Sequence, residues 1–178
     1  MNFDFGQPLT SIIQMAYVVQ DIQASMKQWV SCMNVGPWFY LERWGGDEAV
    51  YRGAPSETEI AAAMAFSGHT LIELIQPLDE KPSVYRELIQ RTGYGFHHFG
   101  LGSNDYDADI RKYQQRGYNL AFQARVPTGG RVGYVDMRGA VPGFIEVIEN
   151  GPAMEQIFTR FYKGSLNWDG SDPIRPFI

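Results

Sequence analysis

The sequence predicts an α+β protein in which a βαβββ unit is used twice, and three observations carry that prediction. The segment Ile13-Gln14-Met15-Ala16-Tyr17-Val18-Val19-Gln20-Asp21 aligns, at an offset of 84, with His97-His98-Phe99-Gly100-Leu101-Gly102-Ser103-Asn104-Asp105, and the same offset places Ala24 on Ala108 and Trp29 on Tyr113. Each copy reads as a strand, an Asp, then a helix. Further on, Leu71-Ile72-Glu73-Leu74-Ile75 matches Phe144-Ile145-Glu146-Val147-Ile148, so each half closes on an apolar strand carrying one glutamate. So long a period belongs to a duplicated module, not to a solenoid.

The elements follow in order from local chemistry. Residues 10–19 are rich in apolar and β-branched side chains and predict a buried strand. Asp21 stands at an N-cap position, and Ile22, Met26, Trp29, Val30 and Met33 give residues 22–34 helical spacing, ended by Gly36-Pro37. Strands are expected over 38–44, 49–52, 59–66 and 70–76, with turn residues at Gly45-Gly46-Asp47 and Gly53-Ala54-Pro55-Ser56. A short helix over 83–90 links the halves. The second half predicts a strand at 97–103, a helix at 106–116 stopped by Gly117, and strands at 119–125, 132–138 and 144–149. One domain over 8–150 is therefore expected, made of modules 8–78 and 95–150. A C-terminal helix at 154–162 and a tail make up 151–178, with Trp168, Ile174 and Phe177 able to dock on the body or on a partner subunit.

With 178 residues, 44% of them hydrophobic, the chain can bury a substantial core. The net charge of −5 provides no basic stripe for phosphates, which argues against nucleic acid as a partner. No run approaches the roughly 18 apolar residues of a membrane span, and a cytoplasmic location is expected. The single cysteine, Cys32, excludes an internal disulfide and predicts packing within the first helix.

Glu73 and Glu146 are the informative residues. Side chains alternate along a strand, so Leu71 and Ile75 share a face with Glu73, and Phe144 and Ile148 share one with Glu146. Both carboxylates should be buried, where an unpaired charge costs several kcal/mol. Neither strand supplies a Lys or Arg to pair with them. A divalent cation held by Gln14, Glu73, His98 and Glu146 would satisfy all four groups. His97 is the rival to His98, but alternation puts it on the other face. His69, beside Gly68, reads as a surface turn residue.

At these residues the chain resembles the vicinal oxygen chelate superfamily, which includes glyoxalase I, methylmalonyl-CoA epimerase, extradiol dioxygenases and bleomycin-resistance proteins. Gly95-Phe96-His97-His98-Phe99-Gly100 and Glu73-Leu74-Ile75-Gln76-Pro77-Leu78 look most like epimerase segments, whereas the ordered set Gln14, Glu73, His98, Glu146 resembles a glyoxalase I ligand set. Epimerases usually have histidine where this chain has Gln14. The resemblance implies a curved, partly open β-barrel around the ion (Zn, Ni, Co, Mn or Mg), a homodimer, and a small-molecule substrate. It also implies an isomerase or lyase that transfers a proton next to a carbonyl of a small 2-oxo or acyl-thioester substrate, with Glu146 and Glu73 as the catalytic carboxylates and Glu146 the first choice of base. Glu57 and Glu59 are weaker candidates. Trp38, Phe39, Tyr40 and Trp44, joined by Phe96, Phe99 and Tyr134, suggest an aromatic or apolar substrate beside the opening. Two alternatives remain. An Fe(II) extradiol-type dioxygenase would need two histidines and a carboxylate, which Gln14 opposes. A metal-free binding protein of the resistance type would lack the buried carboxylates.

Overall fold

The structure is a computed structural model and describes residues 2–9 and 11–178, so residue 10 of the expected first strand lies outside the described residues. In chain order the elements are β1 (Ile12–Val18), α1 (Ile22–Met33), β2 (Trp38–Trp44), β3 (Asp47–Tyr51), β4 (Ala54–Pro55), β5 (Ile60–Ser67) and β6 (Thr70–Pro77). These are followed by α2 (Val84–Thr92), β7 (Gly95–Ser103), α3 (Tyr106–Gln115), β8 (Asn119–Arg125), β9 (Arg131–Asp136), β10 (Phe144–Glu149), α4 (Pro152–Ser165) and β11 (Ile174–Pro176).

The two helices of the repeat start in the same way. Asp21 accepts a hydrogen bond from the Ala24 N–H at 2.9 Å, and Asp105 accepts one from the Ala108 N–H at 2.9 Å. The repeated Asp and Ala thus mark an N-cap and the third helical residue, whose N–H has no partner within the helix. Helix α1 ends earlier than Gly36-Pro37 suggests, because Asn34 adopts the left-handed conformation and its N–H returns to Trp29 and Val30 carbonyls. Cys32 and Met33 are exposed on this helix, contrary to the expectation that both pack inward; Ile22 and Met26 form its buried face.

Among the described residues eleven strands join one mixed sheet in the order β11-β2-β5-β6-β1-β7-β10-β9-β8-β3-β4. The halves are arranged as mirror orders, β2-β5-β6-β1 and β8-β9-β10-β7, which meet where β1 and β7 pair antiparallel. Each module pairs its first strand parallel to its own last one, β1 with β6 and β7 with β10. The strand expected near 49–52 does not stay in the first module: β3 pairs with β8 at the far end of the sheet. Only Gly45 and Gly46 separate β2 from β3, so the two ends of the sheet must approach each other there, and the sheet is curved and open. Gly46 has φ +75°, and a Cβ on it would lie 3.1 Å from Ala49 Cβ and 3.3 Å from Ala124 Cβ.

Alternation sorts the side chains onto two faces. Ala61, Ala63, Ala65, Ile72 and Leu74 pack under α1, and Val135, Ile145 and Val147 pack under α3. The opposite residues of these strands point inward, where α2 covers one region and the aromatic face of α4 another. Helix α4 begins two residues before the sequence suggests, with Pro152 in its first turn. The tail docks on its own chain: β11 lies parallel to β2, and Phe177 is buried against Phe161. Among the described residues no helix is long and apolar enough to cross a membrane.

Candidate metal centre

The β1–β7 seam brings the four predicted residues together on the inner face. Strand β1 brings Gln14, β6 brings Glu73, β7 brings His98 and β10 brings Glu146, with relative exposures of 1%, 6%, 0% and 4%. The Gln14 side-chain nitrogen donates to Glu73 Oε2 at 2.8 Å and to Glu146 Oε2 at 3.1 Å, and lies 3.1 Å from His98 Nε2. His98 Nε2 is 3.0 Å from Glu146 Oε2 and 3.4 Å from Glu73 Oε2. No Arg or Lys among the described residues forms a salt bridge with either carboxylate.

Three features of this cluster fit a divalent ion. Donor atoms surrounding an ion at about 2.0–2.2 Å stand roughly 3.0–3.5 Å apart, close to the separations found here. Gln14 Oε1 is buried with no hydrogen-bond partner; rotating the carboxamide exchanges its oxygen and nitrogen and presents an oxygen lone pair to the same point. Finally, Gly100 is the β7 residue paired with both Gln14 and Glu146, and a Cβ on it would lie 2.7 Å from Gln14 Cβ and 3.4 Å from Glu146 Oε2. A bare backbone at that point gives the polar side chains room to converge.

Electrostatics in the cluster follow from burial and proximity. Burial opposes the charged form of His98, yet Glu146 and Glu73, by charge and by hydrogen bond, carry its pKa up to about 9. Burial raises the Glu73 pKa, as does the charge of Glu146, against the opposing pull of His98 and Gln14.

His97 does not lie on the other face. In the β1–β7 ladder Ala16 is paired with His98 and Tyr17 with Phe96, so His97 is the extra residue of a bulge and both rings turn inward. His97 Nδ1 is 2.8 Å from His98 Nδ1. One of these nitrogens must carry the proton. Burial, followed by the charge of His98, pushes the His97 pKa well below the ordinary value, so His97 is neutral. If His98 presents an Nε2 lone pair, its Nδ1–H donates to His97, which then fixes both tautomer and ring orientation. Sequence reasoning missed this role, as it missed Gly100; strand alternation has no signal for a bulge.

Gln14, Glu73 and Glu146 of the cluster line a narrow apolar cavity of about 50 Å³. Of the aromatic residues expected beside the opening, Trp44 and Tyr134 line it. Trp38 and Tyr40 instead pack toward α1, Phe39 stacks on Phe161 of α4, and Phe96 pairs with Phe99 at 4.6 Å away from the cavity. Tyr85 from α2, and Phe158 and Phe177 from the C-terminal segment, take their places. Glu57 and Glu59 do not reach the cluster: they lie at the rim and pair with Lys81 and Arg43. His69 is exposed, with Nδ1 2.8 Å from the Phe5 carbonyl oxygen.

A repeated βαβββ sheet around a buried Glu-His-Glu group defines the structural class. Residues 13–134 match the family described as the Glyoxalase/Bleomycin resistance protein/Dioxygenase superfamily, and the chain belongs to it. Among solved structures it is similar to the hypothetical protein BH1468 from Bacillus halodurans C-125, at 20% identity and TM-score 0.59 over 80% of this chain and 95% of that one. It is also similar to methylmalonyl-CoA epimerase from Mycobacterium tuberculosis, at 18% identity and TM-score 0.57 over 83% and 95%. A Streptomyces coelicolor methylmalonyl-CoA epimerase in complex with 2-nitronate-propionyl-CoA matches at 18% identity and TM-score 0.58 over 81% and 99%. These likenesses establish the fold. No curated protein sequence matches the chain.

Two outcomes follow. His97→Phe should keep the fold and weaken Mn²⁺ or Zn²⁺ binding by about 10–100-fold, measured by chelator competition. For the metal-free protein, the folded pKa of His98, about 9, exceeds its ordinary 6.5, so its stabilising contribution is complete below 6.5 and is lost as pH rises through 9. The raised Glu73 acts in the same direction. The urea midpoint of the metal-free protein should therefore fall between those two pH values, and fall less in His98→Gln.

Proposed function

We propose that the protein is a metal-dependent isomerase or lyase that moves a proton at a carbon next to a carbonyl, with Gln14, Glu73, His98 and Glu146 holding the ion. The observation that carries the proposal is the convergence of two buried carboxylates, a histidine and an orphaned carboxamide oxygen at the floor of an apolar cavity. A bound divalent ion would supply a Lewis acid that polarises a substrate carbonyl and favours chelation by two neighbouring oxygens.

The protein's own groups do the rest. Glu146 takes the proton as the C–H bond breaks, the electron pair moves onto the carbonyl oxygen to give an enolate, and the proton returns to the same carbon or to its neighbour. Glu73 is the second carboxylate able to hold the proton: its raised pKa brings its basicity nearer to what proton transfer at neutral pH needs. The apolar walls exclude water from the enolate. Tyr85 and Tyr134, whose hydroxyl oxygens are 3.4 Å apart, bound the cavity beside the carboxylates and stay protonated, because burial raises both pKa values. The metal-free binding reading is disfavoured by the two carboxylates, which such a protein has no reason to bury, and the extradiol reading by Gln14 at the first ligand position.

The test is deuterium uptake from D₂O into the methyl group of phenylpropanedione, a neutral chelating diketone, followed by NMR with Mn²⁺- or Zn²⁺-loaded protein. Glu146→Gln should retain some metal and lose about 100-fold or more in exchange rate, whereas His98→Ala should lose metal and melt at lower temperature. Full metal retention by His98→Ala would contradict the assignment.

A further inference from the structure

We infer that the site takes an uncharged, carrier-free substrate with an apolar body, and that the C-terminal segment sets this preference. The inference rests on the proton-transfer reading above and narrows its substrate class. Its observation is the composition of the cavity wall. Leu41, Trp44, Met64 and Val126 form much of it, and Phe158 of α4 and Phe177 beyond β11 complete it. Among the described residues no Lys or Arg lines it. Apart from the metal-centre residues, its polar side chains are Tyr85, Tyr134 and Thr128.

Charge balance then selects the ligand. Two carboxylates and a divalent ion sum to zero, so an anionic substrate would bring an uncompensated charge into an apolar cavity, at a cost of several kcal/mol. The surface adjoining the mouth, which shares Trp44, Val126 and Pro127 with the cavity, does not help an anionic carrier. It bears Asp47, Glu57 and Glu59, and its two cations are already engaged: Lys81 with Glu57 at 3.7 Å, and Arg125 with Glu48 at 3.1 Å. A phosphate-bearing tail or a peptide carboxylate would meet net negative charge there.

The C-terminal wall lies outside the residues that match the family, 13–134. It is held by β11 on the free edge of β2, by Phe177 against Phe161, and by the Arg160 guanidinium donating to the Phe177 carbonyl. These two phenylalanines replace open solvent with aromatic surface, so they act on specificity and not on the proton transfer itself.

Calorimetric titration of Mn²⁺-loaded protein with three chelating probes tests the inference: phenylpropanedione, which is neutral; phenylpyruvate, an anion of similar size; and acetoacetyl-CoA, a carrier-bound dicarbonyl. The dione should bind at least tenfold more tightly than phenylpyruvate, and acetoacetyl-CoA should not saturate. Val126→Lys, which adds a cation to a half-buried wall position, should shift the ratio toward phenylpyruvate by tenfold or more, and Phe177→Ala should weaken the dione selectively. Equal or tighter binding of phenylpyruvate or acetoacetyl-CoA, or no saturable dione binding, would overturn the inference. Dione selectivity without deuterium exchange would leave this substrate class standing and remove the proton-transfer reading; exchange with phenylpyruvate or acetoacetyl-CoA alone would do the reverse.

Discussion

Two carboxylates held inside a sheet, beside one histidine and in no salt bridge to an arginine or lysine among the described residues, set the terms for the rest of this molecule. Ligand atoms of Glu73, His98 and Glu146 lie within 4.8 Å of one another. At that separation and an effective dielectric constant near 20, two like charges repel by roughly 3–4 kcal/mol, before the cost of removing them from water. A proton on His98 compensates one negative charge; a divalent cation compensates both. Gln14, the bare Gly100 backbone and the His97 bulge are arranged around that requirement, and each would be a poor choice for an ordinary apolar sheet interior.

The repeated strand order shows how such a site is assembled. Each module contributes one glutamate from its last strand and one amide or imidazole from its first, so either half alone would bury a single carboxylate beside one such group. Pairing β1 with β7 joins the half-sites across one antiparallel ladder. The parallel ladders β1–β6 and β7–β10 then place each glutamate a strand away from its module's donor. The rest of the inner face is largely apolar, which limits water and strengthens the electrostatics.

Much of this was legible in the sequence because period-2 alternation and repeat registration are strong signals. Leu71 and Ile75 flanking Glu73, and Phe144 and Ile148 flanking Glu146, marked both acids as buried on whichever face they lie. Asp21 and Asp105 marked the helix starts through a local hydrogen bond. Illegible features depended on departures from regular geometry or on contacts distant in sequence. The bulge at His97 cancels alternation for one residue and turns a bystander into a neighbour of His98. Strand β3 pairs across the sheet because Gly45-Gly46 spans its closing gap, a matter of curvature. Trp38 and Phe39 could not be assigned to helix or cavity without knowing which face each helix covers, and Cys32 fell outside the buried stripe of α1.

Charge compensation at the cluster is testable by calorimetric titration of the metal-free protein with Zn²⁺ or Mn²⁺ at pH 7.5, in two buffers of different ionisation enthalpy. One ion should bind per chain, with net proton release, because the cation displaces the proton that Glu73 and Glu146 stabilise on His98. A folded protein that takes up no stoichiometric divalent ion, or binds one with no proton release and equally well after Glu73→Gln and Glu146→Gln are combined, would contradict it.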